Sequence, residues 1–261
     1  MHDYGTMKLT DQMGYEVIIP HDPKIVSLVP SITELLFDLQ LESSIIGATK
    51  FCIHPSSKVS DLPKIGGTKK FHFDKIDSLK PDLIIGNKEE NYKEGILELK
   101  KQYPVWMSDI NTLDEALDMI YQIGLIADRD ILANKLVDRI KSEEALMIKK
   151  ANKRVLYLIW RKPYMMAGKN TFIDHMLKRI GYMNAAEHLD RYPSLTLKEM
   201  KELSPEHILL SSEPFPFQEK HIEEFESIVP RANIHLVDGE MFSWYGSRLT
   251  QAFPYFKSLV F

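Results

Sequence analysis

Apolar and polar positions repeat one phrase twice along the chain. Ile76–Ile85 reads Ile-Asp-Ser-Leu-Lys-Pro-Asp-Leu-Ile-Ile, and Met200–Leu210 reads Met-Lys-Glu-Leu-Ser-Pro-Glu-His-Ile-Leu-Leu. Each copy is an amphipathic stretch, then Leu, a polar residue, Pro and an acid, then an apolar run that reads as a buried strand. Roughly 120 residues separate the copies, too long for a solenoid repeat and suited to two similar lobes that each order a helix before a parallel strand. Two lobes imply a cleft between them.

The rest of the pattern fills in those lobes. Tyr15–Pro20 alternates weakly as an edge strand, and Lys24–Val29 reads as the first buried strand, stopped by Pro30. Ser31 stands where an N-cap belongs, with Glu34 completing a capping box before Leu35, Leu36 and Phe37. Ile45–Ala48 is a second strand, Gly66-Gly67-Thr68 a turn, Asp74–Leu79 a helix and Asp82–Ile85 a strand. A helix after Asn91, a strand at Pro104–Met107 and a helix opened by Asp109–Thr112 follow. From Leu125 to Lys162 there is no Gly or Pro, and Leu132, Leu136, Val137, Ile140 and Met147 recur at helical spacing behind a cap at Asp128. Some twenty residues of helix would span roughly 30 Å, a stiff strut between lobes. In the second lobe, Arg154–Trp160 is a strand, Thr171–Ile180 a helix stopped by Gly181, and His207–Ser211 a strand. Glu213–Phe217 is a loop because its two prolines block both ladders. Gln218–Ser227 is a helix, Ile234–Val237 a strand, and a last helix runs from about Ser247 to the end. The predicted class is α/β, two Rossmann-like lobes with mainly parallel sheets bridged by one long helix. The predicted boundaries are 1–127 for the first lobe, 128–152 for the bridge and 153–261 for the second lobe.

Composition narrows the function. The chain has 261 residues, of which 44% are hydrophobic and 27% charged, with a formal charge of -4. That is enough for a large core and leaves no basic footprint for nucleic acid. The single cysteine, Cys52, excludes an internal disulfide and any multi-cysteine metal centre. Met1–Gln12 is polar and carries two Asp, unlike a secretory leader, so the chain as written reads as cytoplasmic; a trimmed leader would make it periplasmic or membrane-associated.

Several ordered motifs resemble one family. Val29-Pro30-Ser31 followed by Thr33-Glu34-Leu35-Leu36-Phe37, Phe51-Cys52-x-His54-Pro55, Gly66-Gly67-Thr68, Leu79–Ile85 and the late Ser243-Trp244-Tyr245 block resemble the cobalamin and ferric-siderophore class of ABC-transporter substrate-binding proteins. The resemblance covers nearly the whole chain. It implies two α/β lobes joined by a long helix, a ligand between the lobes and no catalysis. The implied ligand is cobalamin or another corrinoid, a ferric siderophore or haem, and no covalently bound cofactor is expected. The implied partner is an ABC-transporter permease, met by an acidic residue on each lobe; Glu90 or Glu94 and Glu213 or Glu219 are the candidates. The strut needs no second copy, so a monomer is expected.

Independently of the resemblance, ligands of parallel α/β lobes meet the loops at the carboxyl ends of the strands. In the first lobe these loops present Ser31, Phe51, His54 and Asn87; in the second, Trp160, Arg161, Tyr164, Phe215, Phe242, Trp244 and Tyr245. Two of the three tryptophans fall in the second set, which suits a broad, flat, partly apolar ligand. Each aromatic has an ordinary reading as core, and Arg161 one as the partner of a helix terminus or surface carboxylate. Arg161 would otherwise offer a bidentate fork to a ligand carboxylate. Cys52 and His54 are metal-binding residue types, but two ligands are too few and no other histidine completes a set, so no protein metal site is expected; within the resemblance, His54 would approach a metal carried by the ligand. No nucleophile elbow, P-loop or dinucleotide fingerprint is present. A cytosolic corrinoid or haem carrier or sensor, or an enzyme acting on a tetrapyrrole, remain as alternatives.

Overall fold

The computed structural model describes residues 5–150 and 152–259. Met1–Tyr4 of the polar start, Ala151 of the predicted bridge, and Val260 and Phe261 of the predicted last helix lie outside them. The chain divides into two compact units: Met1–Ile110, Asp114–Arg139 and Tyr245–Arg248 form the first, and Asn111–Leu113, Ile140–Trp244 and Leu249–Phe261 the second.

The first unit opens with a hairpin, β1 (Met7–Thr10) against β2 (Glu16–Ile19). The predicted edge strand therefore exists, but it pairs outside the main sheet with a strand too short to show a period. Next come β3 (Ile25–Ser27), α1 (Pro30–Asp38), β4 (Ile45–Ala48) and α2 (Ser56–Val59). A second hairpin, β5 (Gly66–Gly67) with β6 (Lys70–Phe71), precedes α3 (Phe73–Leu79), β7 (Leu83–Asn87), α4 (Lys93–Leu99), β8 (Val105–Ser108) and α5 (Leu113–Ile126). The sheet order is β4-β3-β7-β8, all parallel. Helices on a parallel sheet bury its strands on both faces, and Ile25, Val26, Leu83, Ile84, Ile85 and Trp106 are all fully buried.

Helix α6 (Asp130–Ala145) has 16 residues, roughly 24 Å at 1.5 Å each. Asp130–Arg139 counts with the first unit and Ile140–Ala145 with the second. It is shorter than the twenty-residue reading, and Asp128 does not cap it: that residue takes a left-handed conformation, φ 51°, in the turn from α5.

The second unit holds β9 (Arg154–Trp160), β10 (Tyr164–Met166), α7 (Phe172–Arg179), β11 (Met183–Asn184), β12 (Ser194–Leu195), α8 (Leu197–Glu202) and β13 (His207–Ser211). After a 3-10 turn at Glu219–His221 come α9 (Ile222–Ile228), β14 (Asn233–Val237), α10 (Gly239–Ser243) and α11 (Leu249–Ser258). Its sheet order is β12-β10-β9-β13-β14. Strands β9, β13 and β14 are parallel, while β10 and β12 extend the sheet antiparallel.

The repeated phrase builds the same backbone twice. Both polar residues before the proline are left-handed, Lys80 at φ 50° and Ser204 at φ 47°, ending α3 and α8. The acid after each proline then clamps the start of the neighbouring strand. Asp82 donates its N–H to the Lys24 carbonyl (2.9 Å) and accepts the Lys24 N–H on its carboxylate (3.0 Å). Glu206 does the same with Arg154, at 2.8 and 3.3 Å. Each copy thereby sets its strand, β7 or β13, beside β3 or β9 respectively.

Candidate functional site

In the first unit, the turn from β3 into α1 carries the polar chemistry. Pro30 occupies the first helical position with Val29 as N-cap, and no side chain caps the helix. Ser31 is therefore one residue inside the helix, contrary to the predicted capping box, because a proline at the first position fills the role without an N–H. Glu34, released from capping, pairs with Arg248: Nε reaches Oε2 at 3.0 Å and an Nη reaches Oε1 at 2.6 Å, both side chains nearly buried. Burial pushes the Glu34 carboxyl up, and the guanidinium opposes that rise. The chain reaches Arg248 through Gly246, where a Cβ would lie 2.7 Å from the Ser31 carbonyl oxygen, so only glycine permits the approach. This ion pair, between residues 214 apart in sequence, left no signal in the pattern.

Cys52 is buried, its sulfur 3.0 Å from Thr33 Oγ1 and 3.2 Å from Thr49 Oγ1, and burial pushes its thiol up. It is a packed thiol held by two hydroxyls. His54 is half-buried and close enough to Glu34 for its charge to act on that carboxyl. Among the described residues, no group of three or more His, Cys, Asp or Glu is placed to hold a metal ion. Phe51 is 51% exposed.

Asn87 is buried and its side chain is committed within the chain. Its Oδ1 accepts the N–H groups of Glu89 (2.8 Å) and Glu90 (3.0 Å), and its Nδ2 donates to Ser108 Oγ (3.0 Å). Asn91, which the sequence reading passed over, closes the same loop by accepting the Asn87 N–H (2.9 Å) and donating to the Thr68 carbonyl (3.0 Å). Asn87 thus shapes the loop after β7 rather than presenting an open polar group. Of the docking candidates here, Glu90 is half-buried and Glu94 is exposed in the first turn of α4.

In the second unit, Trp160 ends β9 and is 39% exposed. Phe215 meets it edge to face at 5.8 Å and is itself 4.7 Å from Phe217, which continues to Phe225 at 5.9 Å. Glu213–Phe217 is the loop that its prolines require, placed after β13. Arg161 donates Nε to Glu224 Oε2 at 2.8 Å, and the Tyr164 hydroxyl donates to Oε1 of the same carboxylate. Burial and that hydrogen bond push the Tyr164 phenol up to about 12. Glu224, missed at the sequence level, thus fixes Arg161 by one edge beside an open tryptophan.

The late aromatic block behaves differently. Phe242 is fully buried and packs on Tyr157 (5.0 Å) and Phe256 (4.7 Å), so it is core. The short helix α10 turns it inward. Trp244 is 7% exposed and donates Nε1 to Glu213 Oε1 at 2.9 Å; Ser243 Oγ donates to the same oxygen at 2.6 Å. Tyr245 is also buried, at 6%. Glu213, offered above as a docking acid, is therefore an internal acceptor, its carboxyl pushed up first by burial. Gly239 lets α10 approach it, since a Cβ there would lie 2.6 Å from Glu213 Cγ. Glu219 is exposed.

Similarity to known proteins agrees with this architecture. The chain is 28% identical over 214 residues to an uncharacterized ABC transporter substrate-binding lipoprotein, YvrC, of Bacillus subtilis, a match covering 77% of this chain and 68% of the relative. The crystal structure of the periplasmic vitamin B12 binding protein BtuF of Vibrio cholerae superposes with TM-score 0.79 at 18% identity, covering 92% of this chain and 97% of that one. The periplasmic heme-binding protein RhuT of Roseiflexus sp. RS-1 gives TM-score 0.76 at 22% identity, covering 90% and 97%. Both likenesses establish the fold. No helix among the described residues is long and apolar enough to cross a membrane. Residues 25–228 match the family model described as periplasmic binding protein, and the resemblance read from the motifs holds: the chain belongs to that family.

Proposed function

We propose that this protein is a non-enzymatic receptor for a flat metal chelate, a corrinoid or haem, acting outside the cytoplasm as a monomer and passing its ligand to an ABC-transporter permease. The observation that carries the reading is Trp160, open at the carboxyl end of β9 with Phe215 against its edge. A ring face of that kind stacks on a planar macrocycle, and Arg161, held at Nε by Glu224, offers its terminal nitrogens to an acidic or amide side group. Three titratable groups raised by burial serve structure: Glu34 pairs with Arg248, Glu213 accepts from Ser243 and Trp244, and Tyr157 hydrogen-bonds Ser211 in the core. A receptor needs such groups only to hold shape.

The extracytoplasmic setting rests on the family and on the lipoprotein relative, and it favours the periplasmic or membrane-associated branch of the sequence reading over the cytoplasmic one. Exposed Glu94 and Glu219, with half-buried Glu90, are the acids proposed to meet the permease; rim charges of this kind steer encounter. Glu213 is instead committed to Ser243 and Trp244. The test is a titration of the protein with cobalamin, cobinamide, haem and a ferric siderophore, following ligand absorbance and tryptophan emission. Saturable binding of a corrinoid or haem with quenching is expected. Binding of the siderophore alone, or of none of the four, overturns the reading.

A further inference from the structure

We propose that His207 and His235 form a two-imidazole site for a late first-row divalent cation, Cu2+, Ni2+ or Zn2+, at the amino-end edge of the second unit's sheet. Strands β13 and β14 run parallel, with His207 opposite Asn233 and Leu209 opposite His235. Partnered positions share a face, so His207, His235 and Asn233 project together. His207 Nδ1 lies 3.0 Å from His235 Nε2, and the ring centroids are 5.1 Å apart.

In the neutral pair, one ring nitrogen donates its hydrogen to the lone pair of the other. A cation can take the place of that hydrogen. At metal–nitrogen distances of about 2.0–2.1 Å, two nitrogens on one ion lie about 2.9 Å apart at a right angle and about 3.4 Å apart in a tetrahedron. The observed separation falls within that range, so the rings need only tilt. Imidazole suits this group of metals better than it suits Mg2+ or Ca2+.

Access and charge agree. β14 ends the strand order of its sheet, and His235 is half-buried, so solvent can complete the coordination shell from the open side. His207 is nearly buried, at 6% exposure. Among the charged groups acting on His207 are Glu206 and Lys153, which are bonded to each other at 2.9 Å. Burial lowers both histidine pKa values, and each ring is thereby kept in the neutral form that ligates. With two protein nitrogens and water as the shell, the ion is exchangeable. The site lies at the opposite strand ends from Trp160 and Phe215, and its test does not depend on the receptor reading.

The experiment is calorimetric titration of the untagged protein with the chlorides of Cu2+, Ni2+ and Zn2+ at about pH 7.5 and about pH 5.5. One equivalent of at least one cation is expected at the higher pH, and weaker uptake at the lower, where protons compete for the two rings. His235→Asn, on the open side, and His207→Gln are each expected to lose about tenfold or more in affinity, whereas His188→Asn, on an exposed loop, keeps it. Circular dichroism establishes that each variant is folded. Unchanged affinity in either folded histidine variant, or no uptake by the parent protein at millimolar cation, overturns the site.

Discussion

The loops at the carboxyl ends of the strands are built on opposite plans in the two units. In the first unit they are polar and internally saturated: Asn87 and Asn91 consume their own hydrogen-bonding groups, and Glu34 and Arg248 consume each other's charge. In the second they leave an aromatic face in solvent at Trp160 and a guanidinium tied down by a single nitrogen. Buried polar groups are costly unless fully paired, so the first plan fixes a shape. An exposed indole beside a pre-oriented cation leaves stabilisation unrealised until something binds. Under the receptor proposal, that difference concentrates recognition in the second unit and leaves the polar loops of the first to hold shape.

The largest effect tests that rigidity. Glu34→Gln leaves the Arg248 guanidinium buried without its counter-charge, and breaking a buried pair from one side costs about 3–5 kcal/mol. Urea unfolding should show a loss of that order, while Glu34→Leu combined with Arg248→Met should recover much of it, because an apolar pair leaves no buried charge. A loss below about 1 kcal/mol for Glu34→Gln would mean that the pair behaves as a surface bridge and that the first unit is not built on it. Next in size is Trp160→Ala. With 39% of Trp160 exposed, stability should hardly change, but affinity for the best tetrapyrrole should fall more than about tenfold, or about 1.4 kcal/mol. Equal affinity in the folded variant would remove the aromatic face from the ligand contact.

How much of this was legible in the sequence follows from the range of each interaction. The Leu-polar-Pro-acid phrase was readable because its punctuation is local, a left-handed residue and a proline that stops the helix; the acid's clamp on a strand 58 or 52 residues away was not. Local punctuation also made the loop at Glu213–Phe217 and the stop at Gly181, φ 97°, readable. Strands β1, β10 and β12 were not readable, since two to four residues cannot show a period of two. The predicted cap at Ser31 failed because Pro30 outcompetes it for the helix start. At the proposed site, residue type did not tell which aromatic side chains lie open and which are buried. Phe242 and Trp244 look as suitable for stacking as Trp160, and only the turn of α10 decides that they face inward. Glu224 and Arg248 were invisible because their partners lie 63 and 214 residues away.

A smaller effect concerns Glu213, the point where the second unit does resemble the first in burying an acid. Burial raises its pKa in the folded protein above the unfolded value, near 4.5. A group shifted upward contributes stability that is fully present below the unfolded pKa and is lost as pH rises through the folded one. Glu213→Gln retains an oxygen for Ser243 and Trp244 but does not titrate. Relative to the parent, the variant should therefore gain in urea midpoint as pH is raised from about 4.5 to neutrality. A relative loss over that window would show that the hydrogen bonds outweigh burial and hold the carboxylate charged.

The smallest effect sharpens the contrast most directly, because it asks whether the first unit contributes any aromatic contact. Phe51 is 51% exposed, with Lys50 Nζ 5.1 Å from its ring centroid, and its removal opens no cavity in the core. If recognition resides in the second unit, Phe51→Ala should change tetrapyrrole affinity by less than about threefold, under about 0.7 kcal/mol. The measurement is the titration used for Trp160→Ala, run on the two variants in parallel with matched ligand. A loss at Phe51 equal to that at Trp160 would mean that an exposed ring on each unit grips the ligand. The saturated polar loops of the first unit would then be the scaffold for a second aromatic contact, and the asymmetry drawn above would be one of polar groups alone.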